Sequence, residues 1–89
     1  MKKRHFVERA EQRYYIQNIN EQIIIADILA NKCILIKTDI EKYSHTFLTK
    51  YLNKYIKVVT DFNVEFIKTI IPISNKDIDL INKFLTKII

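Results

Sequence analysis

Apolar residues recur every three or four positions along much of the chain, which is the spacing of one face of a helix. This pattern predicts a first helix over residues 2–17, with arginines along its polar side. A second helix is predicted over 22–30, where Asn20 has the residue type of an N-cap. The apolar run at 33–36 is too short for its periodicity to distinguish a strand from a continuing helix.

The middle of the chain carries the most regular apolar stripe. Thr38 and Glu41 have the spacing of a capping box, in which a hydroxyl and a carboxylate accept hydrogen bonds from the free N–H groups of a helix N-terminus. Apolar side chains then follow at three- and four-residue steps. We therefore predict a short helix over 38–43 and a longer one over 45–56, divided at Ser44.

Beyond the predicted helices the residue types change. β-Branched residues dominate 56–60 and 64–71, and the polar residues between them predict a β-hairpin. Pro72 has no N–H to donate, so we expect it at a strand end. A last helix is predicted to begin at Ser74–Asp77 and to continue to Ile89. The pattern thus predicts one mostly helical α+β domain that takes up all 89 residues.

The composition excludes several kinds of site. The chain has no glycine, and both phosphate-cradling loops and EF-hand loops require glycine. A single cysteine, Cys33, excludes an internal disulfide and a cysteine-based metal cage, and we expect an inert buried thiol. The two histidines, His5 and His45, have no neighbour with metal-ligand spacing. We therefore expect no catalytic residues, no metal and no cofactor, and hence no enzyme.

Charged residues interrupt each apolar stretch that could enter a membrane. The basic start at Met1–Arg4 is followed at once by Glu8, so we expect no secretory signal. The apolar zone Ile19–Ile36 contains Asp27 and Lys32, so we expect no spanning helix. A cytoplasmic protein without a membrane partner is the resulting expectation.

The net charge favours an anionic partner. Fifteen Lys and Arg against ten Asp and Glu give a formal charge of +5 and a pI near 9.4. Nucleic acid is the commonest partner of such a surface. A basic surface that is merely solvated is the alternative.

The predicted order of elements is similar to that of winged helix-turn-helix proteins. Ser44–Ile56 resembles a recognition helix, and Ile71–Phe84 is similar to the end of MarR- and ArsR-like wings, where the last strand continues into a capped helix. The resemblance covers 38–89 and implies a winged helix-turn-helix fold with a β-hairpin wing and a C-terminal dimerisation helix. The chain departs from the family in lacking a glycine after the recognition helix.

A second helix-turn-helix frame remains open. In that frame 22–30 resembles the first helix, and 32–39 would be the helix that enters the DNA groove. The apolar residues of 32–39 leave it almost no polar face to present to DNA.

In the favoured frame a basic, acid-free face contacts double-stranded DNA. No acid occurs between Lys42 and Thr60. Threonine and asparagine side chains on this face are candidates for base contacts, and four lysines for phosphates, which would give a salt slope of about −3.6 per protomer. The predicted DNA-contacting residues are Lys42, His45, Thr46, Thr49, Lys50, Asn53, Lys54, Lys57, Lys68 on the hairpin, and Lys2, Lys3 and Arg4 as an N-terminal arm. The alternative is the solvated side of an amphipathic helix.

The last predicted helix carries more apolar surface than one small subunit can cover. We predict a homodimer, which also suits paired half-sites on DNA. The predicted interface residues are Ile78, Ile81, Phe84, Leu85 and Ile88.

Two functions follow as expectations. The first is a homodimeric winged-helix DNA-binding protein, either a plasmid or phage partition protein of the centromere-binding TubR type or a small transcriptional repressor. A partition protein would also bind a filament-forming partner. The alternative is a basic module that binds protein or RNA, such as a phage-encoded inhibitor or a ribosome-associated protein.

Overall fold

Three helices flank a four-stranded antiparallel sheet in the structure, a computed structural model that describes residues 4–88 and the side chains of residues 4–84. The elements are α1 (His5–Tyr14), α2 (Glu21–Leu29), β1 (Ile34–Asp39), β2 (Ser44–Tyr51), β3 (Lys54–Asp61), β4 (Ile67–Ile71) and α3 (Asn75–Ile88). The prediction of an α+β fold is confirmed. The prediction that it is mostly helical is wrong, because the middle of the chain forms the sheet.

The strands form a meander in the order β1-β2-β3-β4. β2 and β3 pair along their full lengths, from Ser44 opposite Asp61 to Tyr51 opposite Lys54. The other two pairings are each interrupted by a bulge, between Leu35 and Lys37 in β1 and at Lys68 in β4, opposite Val59 and Thr60 of β3. The β2–β3 hairpin is therefore the most regular part of the sheet.

The sheet is covered on both faces. Neighbouring residues in a strand point to opposite faces, so Ile56 and Val58 share one face while Lys57 lies on the other. The first face packs against α1 and α2 in the main core, whose fully buried strand residues include Ile56, Val58, Ile67 and Ile70. On the other face, the α3 face, Lys57 forms an ion pair with Asp77 of α3.

The two edges of the sheet differ. Three side chains of the N-terminal segment donate hydrogen bonds to carbonyl oxygens of β4. The donor and acceptor residues are Arg4 with Ile67, Arg13 with Ile70, and Tyr14 with Ile71. The Glu21 carboxylate also accepts from the N–H of Ile67. The β4 edge is thus covered, and β1 forms the opposite edge.

The predicted helices over 38–43 and 45–56 are wrong. Residues 44–51 and 54–61 are strands, and 40–43 form the turn before them. A sheet covered on both faces accepts apolar residues on both, so its strands lose the strict alternation that identifies a half-buried strand. Phe47 and Leu48 illustrate this, because they are adjacent in β2 and point to opposite faces.

The capping box predicted at Thr38 does not form. The Thr38 Oγ1 atom lies 2.8 Å from Nδ1 of His45 on the neighbouring strand. Asp39 stabilises the turn instead, because its Oδ1 accepts from the N–H of Lys42 at 3.1 Å. These side chains satisfy polar groups of a strand and a turn rather than those of a helix N-terminus.

The other elements were predicted correctly. α2 begins after Asn20, whose side chain accepts from the N–H groups of Gln22 and Ile23. The predicted hairpin is formed by β3 and β4, Pro72 follows the last residue of β4, and α3 begins at Asn75. The second helix-turn-helix frame is wrong, since residues 34–39 form a strand. A recognition helix is therefore absent from the described residues in both frames.

None of the helices described between residues 4 and 88 is long and apolar enough to cross a membrane.

Candidate nucleic-acid interface

The structure divides the predicted DNA-contacting residues among several places instead of gathering them on one helix face. Three of them lie at the turn between β2 and β3: Lys50, Asn53 and Lys54. Three lie at the opposite end of β2 or close to it: Lys42, His45 and Lys68. Thr46, Thr49 and Lys57 lie between these ends, and Arg4 precedes α1. Lys2 and Lys3 are outside the described residues.

The turn between β2 and β3 forms an exposed basic apex, which we call the hairpin tip (residues 50–55). Leu52 and Asn53 connect the strands, and both have positive φ angles, of 49° and 64°. Two successive left-handed residues are typical of the tight turn that suits the twist of a hairpin. The Leu52 side chain is 69% exposed. An aliphatic side chain thus lies at the apex between two lysines.

The two lysines of the hairpin tip lie on opposite faces of the sheet. Lys50 is paired with Tyr55 on the α3 face, and its Nζ lies 5.8 Å from the centre of the Tyr55 ring. Lys54 is paired with Tyr51 on the first face, and its Nζ donates to the carbonyl of Tyr14 at 3.0 Å. Both lysines are exposed. The hairpin tip therefore presents one cation on each face.

Lys57 is committed to a structural ion pair. Its Nζ lies 2.9 Å from Asp77 Oδ2, and the two side chains are 17% and 4% exposed. Burial opposes ionisation of Asp77, but hydrogen bonds from the Ser74 N–H, Lys57 and the Ser74 hydroxyl lower the pKa of this carboxyl below its ordinary value. Lys57 thus attaches α3 to the sheet, and its charge is neutralised.

Thr49 is a buried residue of the first face. Only 3% of it is exposed, so the prediction that it contacts bases is not compatible with this fold. The half-buried Cys33 thiol lies close to it. Burial raises the pKa of Cys33, and a hydrogen bond with Thr49 opposes the rise. The thiol is thus less deprotonated than an exposed one, in keeping with an inert role.

The opposite end of β2 is aromatic, and we call it the aromatic end (Tyr43, His45 and Phe62). The His45 ring stacks on Phe62 with centroids 5.0 Å apart, and Tyr43 meets Phe62 edge-on at 5.7 Å. Lys68 Nζ donates to the carbonyls of Lys42 and Tyr43. The strand ends and loops here also carry acids, namely Asp39, Glu41, Asp61 and Glu65. This end is therefore apolar with mixed charge, whereas the hairpin tip is basic.

Asp61 holds the loop beside the aromatic end. Its Oδ1 accepts from the N–H groups of Glu65 at 2.7 Å and Phe66 at 3.0 Å. Burial opposes ionisation, but these bonds and one from Asn63 lower the pKa of the Asp61 carboxyl below its ordinary value. The charge of Asp61 is thus used within the fold.

Arg4 is bound to the protein rather than extended as an arm. Its guanidinium donates to the carbonyl of Ile67 and forms an ion pair with Glu21. The predicted role of Arg4 in a flexible basic arm is therefore not supported by its contacts.

The predicted dimer interface is divided as well. Ile81 is 6% exposed and packs within the subunit, whereas Ile78 is 47% and Phe84 38% exposed. The side chains of Leu85 and Ile88 lie outside the described residues. A shallow groove of about 200 Å³ beside α3 is lined by Ile34, Leu80, Lys83 and Phe84.

Within the described part of the chain, no group of three or more His, Cys, Asp or Glu side chains is placed to hold a metal ion. A larger open hollow of about 360 Å³ lies at the end of α1. It is lined by Glu11 of α1 and by Tyr15, Gln17 and Asn18 of the linker that follows.

Comparison with known proteins gave no relative: no protein-family model, curated protein or solved structure matches this chain. Leu52 and Tyr55 belong to the hairpin tip but were not predicted there, because their spacing also fits the apolar stripe of a helix. Asn53, a turn-forming residue between two runs rich in threonine and aromatic residues, was the available signal.

Proposed function

We propose that this protein binds double-stranded DNA through the hairpin tip. The observation that carries the proposal is the position of Lys50 and Lys54, exposed on opposite faces of a two-stranded ribbon whose sequence from 42 to 60 has no acid. The positive net charge of the chain acts in the same direction.

A ribbon with a cation on each face matches the shape of a DNA groove. The major groove admits a two-stranded β-ribbon, and a phosphate backbone forms each of its walls. Lys50 would face one wall and Lys54 the other. The apex then points towards the base edges, where the Asn53 amide can pair with adenine and Leu52 can contact a thymine methyl group.

The number of available lysines sets the salt dependence. Lys57 is paired with Asp77, and Lys42 lies at the other end of β2, so two of the four lysines first assigned to phosphates remain. Two phosphate contacts give a slope of log affinity against log salt of about −1.8 per protomer, instead of about −3.6. A titration of affinity against salt concentration measures this slope.

Charge reversal at the hairpin tip tests the proposal. Lys50→Glu and Lys54→Glu should each weaken binding to a short fluorescent duplex, measured by anisotropy at low salt, and the double variant should abolish it. Lys76→Glu makes the same charge change at an exposed position of α3 and should bind much more like the wild type. Thermal unfolding verifies that the variants remain folded. Equal losses at all three positions, or no binding by the wild type, would contradict the proposal.

Comparing duplexes of different sequence tests whether the protein acts as a repressor or a partition protein, since both roles require a preferred DNA site. A repressor of its own gene or a partition protein at a nearby centromere would prefer DNA from its own genomic neighbourhood. An unrelated duplex of matched base composition is the control. Equal affinity for both duplexes would indicate a binding mode without sequence preference.

A second candidate function is binding to another protein through the aromatic end and the exposed apolar residues beside it, Ile40 and Phe66. Ile40 is 73% exposed, Tyr43 67% and Phe66 41%, and charges of both signs surround them. Exposed apolar groups with mixed charge are typical of protein interfaces rather than of phosphate contacts. This function would replace the first if the wild type fails to bind duplex DNA at low salt.

A further inference from the structure

The open edge of the sheet has features that select its partner. The N-terminal segment covers β4, whereas β1 is paired only on the side of β2 within the described chain. An open strand edge has backbone N–H and C=O groups free to pair with another strand. Among residues 4–88, this edge is where the sheet is open to extension.

β1 restricts which strand can pair with it. Exposed Lys37 lies within the strand, and the bulge between Leu35 and Lys37 interrupts its regular backbone. Lysines and bulges on edge strands are devices that prevent pairing with arbitrary chains. A strand that places an acid opposite Lys37 is therefore favoured over one that does not.

The chain itself supplies that acid. Lys37 is paired with Thr46 of β2 and Asp39 with Ser44, so Lys37 and Asp39 lie on the same face of β1, two residues apart. Two antiparallel copies of β1 with Thr38 on the twofold axis place Lys37 of each copy opposite Asp39 of the other. The Asp39 Oδ1 atom accepts from the Lys42 N–H, which leaves Oδ2 for the second copy.

The same register covers the exposed side chain of Ile40 and leaves the surface of α3 free. Ile40, in the turn that follows β1, comes close to Ile36 at the bulge of the second copy, and Ile40 is 73% exposed in the single chain. The pairing uses the end of β1 around Thr38. The groove beside α3 lies at Ile34, at the other end of the strand.

We propose that the partner of the β1 edge is a second copy of this chain, paired antiparallel about Thr38 so that the two sheets become one. The contact is isologous, as a twofold axis requires. It differs from the dimer predicted through α3, and it does not depend on DNA binding.

Charge reversal and charge exchange test this register. Sedimentation velocity at micromolar concentration should show a dimer of the wild type. Lys37→Glu and Asp39→Lys should each raise the dissociation constant about tenfold or more, because like charges then lie opposite each other twice. The double variant, in which both charges are exchanged, should restore dimerisation. A monomeric wild type, or a double variant as weak as the single ones, would overturn the proposal.

Matched controls locate the interface independently. Lys76→Glu and Asp79→Lys make the same charge changes on exposed positions of α3 and should leave the dimer intact. In a Cys33→Ser background, Thr38→Cys should give a disulfide-linked dimer on mild oxidation, and Lys76→Cys should not. Loss of the dimer in the α3 variants alone would overturn the proposal in favour of a helical interface.

Discussion

Two segments of this protein carry the same helix-start signature and fold differently. Ser74 and Asp77 form a capping box at the start of α3, since Asp77 Oδ2 accepts from the Ser74 N–H at 2.8 Å and Ser74 Oγ accepts from the Asp77 N–H at 3.4 Å. Thr38 and Glu41 have the same spacing, but Thr38 lies within β1, paired with His45, and Glu41 lies in a turn. The signature describes which side chains can cap a helix, and it does not determine whether a helix follows.

The surroundings of each segment make the difference. Residues 44–61 are rich in threonine, valine and aromatic residues, which favour strands. Helices pack on both of their faces, α1 and α2 on one and α3 through the Lys57–Asp77 ion pair on the other. α3 has elements on one side only, and its buried residues Asp77 and Ile81 lie four positions apart. Apolar residues at helical spacing can therefore arise in two ways. They can form the buried side of a helix, as in α3, or they can belong to strands that carry apolar residues on both faces of a sheet.

The largest expected loss of stability comes from a substitution in the buried sheet rather than in α3. Ile56 in β3 is fully buried, so Ile56→Ala should lower the free energy of unfolding by about 2–5 kcal/mol. Ile78 in α3 is 47% exposed, and Ile78→Ala should cost about 1 kcal/mol or less. Urea denaturation measures both. If Ile56→Ala does not fold, Ile56→Val should still cost about 0.5–1.5 kcal/mol.

The two capping signatures should respond unequally to loss of their acids. Asp77→Ala removes the cap of α3 and leaves the half-buried Lys57 without its ion-pair partner, which should cost about 2–4 kcal/mol. Glu41→Ala alters an exposed turn and should change stability by about 0.5 kcal/mol or less. Equal losses in thermal or urea unfolding would show that Glu41 caps a helix after all.

Acid should weaken the same contact. The folded-state pKa of Asp77 is lowered, so its contribution to stability is full above the unfolded pKa of about 3.9 and is lost as the pH falls through the folded value. The free energy of unfolding of the wild type should therefore decrease below about pH 4. Asp77→Asn should be less stable at pH 7 and should show a smaller decrease, whereas Glu41→Gln should follow the wild type.

The sequence was sufficient where local signals decide the structure. Asn20 and Ser74 lie beside helices that form, and Pro72 lies at the end of a strand, because these residues act on their nearest backbone groups. The strand β2 was not recognised and β1 was left open between strand and helix, since their identity depends on pairing with distant residues and on helices that cover them. The spacing of apolar residues alone does not show that they belong to strands with apolar residues on both faces.

The candidate site followed the same rule. The predicted DNA-contacting face included Lys50, Asn53 and Lys54, which are close in the chain and remain close at a tight turn. It also included Lys57, whose ion pair with Asp77 spans twenty positions and has no local signal. The sequence therefore predicted a single helix face for residues that alternate between the two faces of the sheet.

The smallest expected effect gives the sharpest test of strand against helix. Leu52 has a φ of 49° in the turn between β2 and β3, a region that a residue with a Cβ enters at a cost. Leu52→Gly should therefore raise the free energy of unfolding, by about 0.5–1 kcal/mol. Inside the helix that the sequence predicted over 45–56, the same substitution would lower it by about 1 kcal/mol. Asp79→Gly, at an exposed position within α3, should show that loss. Because the sign of the change differs between the two structures, urea denaturation of these two variants separates the hairpin from a helix even where the magnitudes are small.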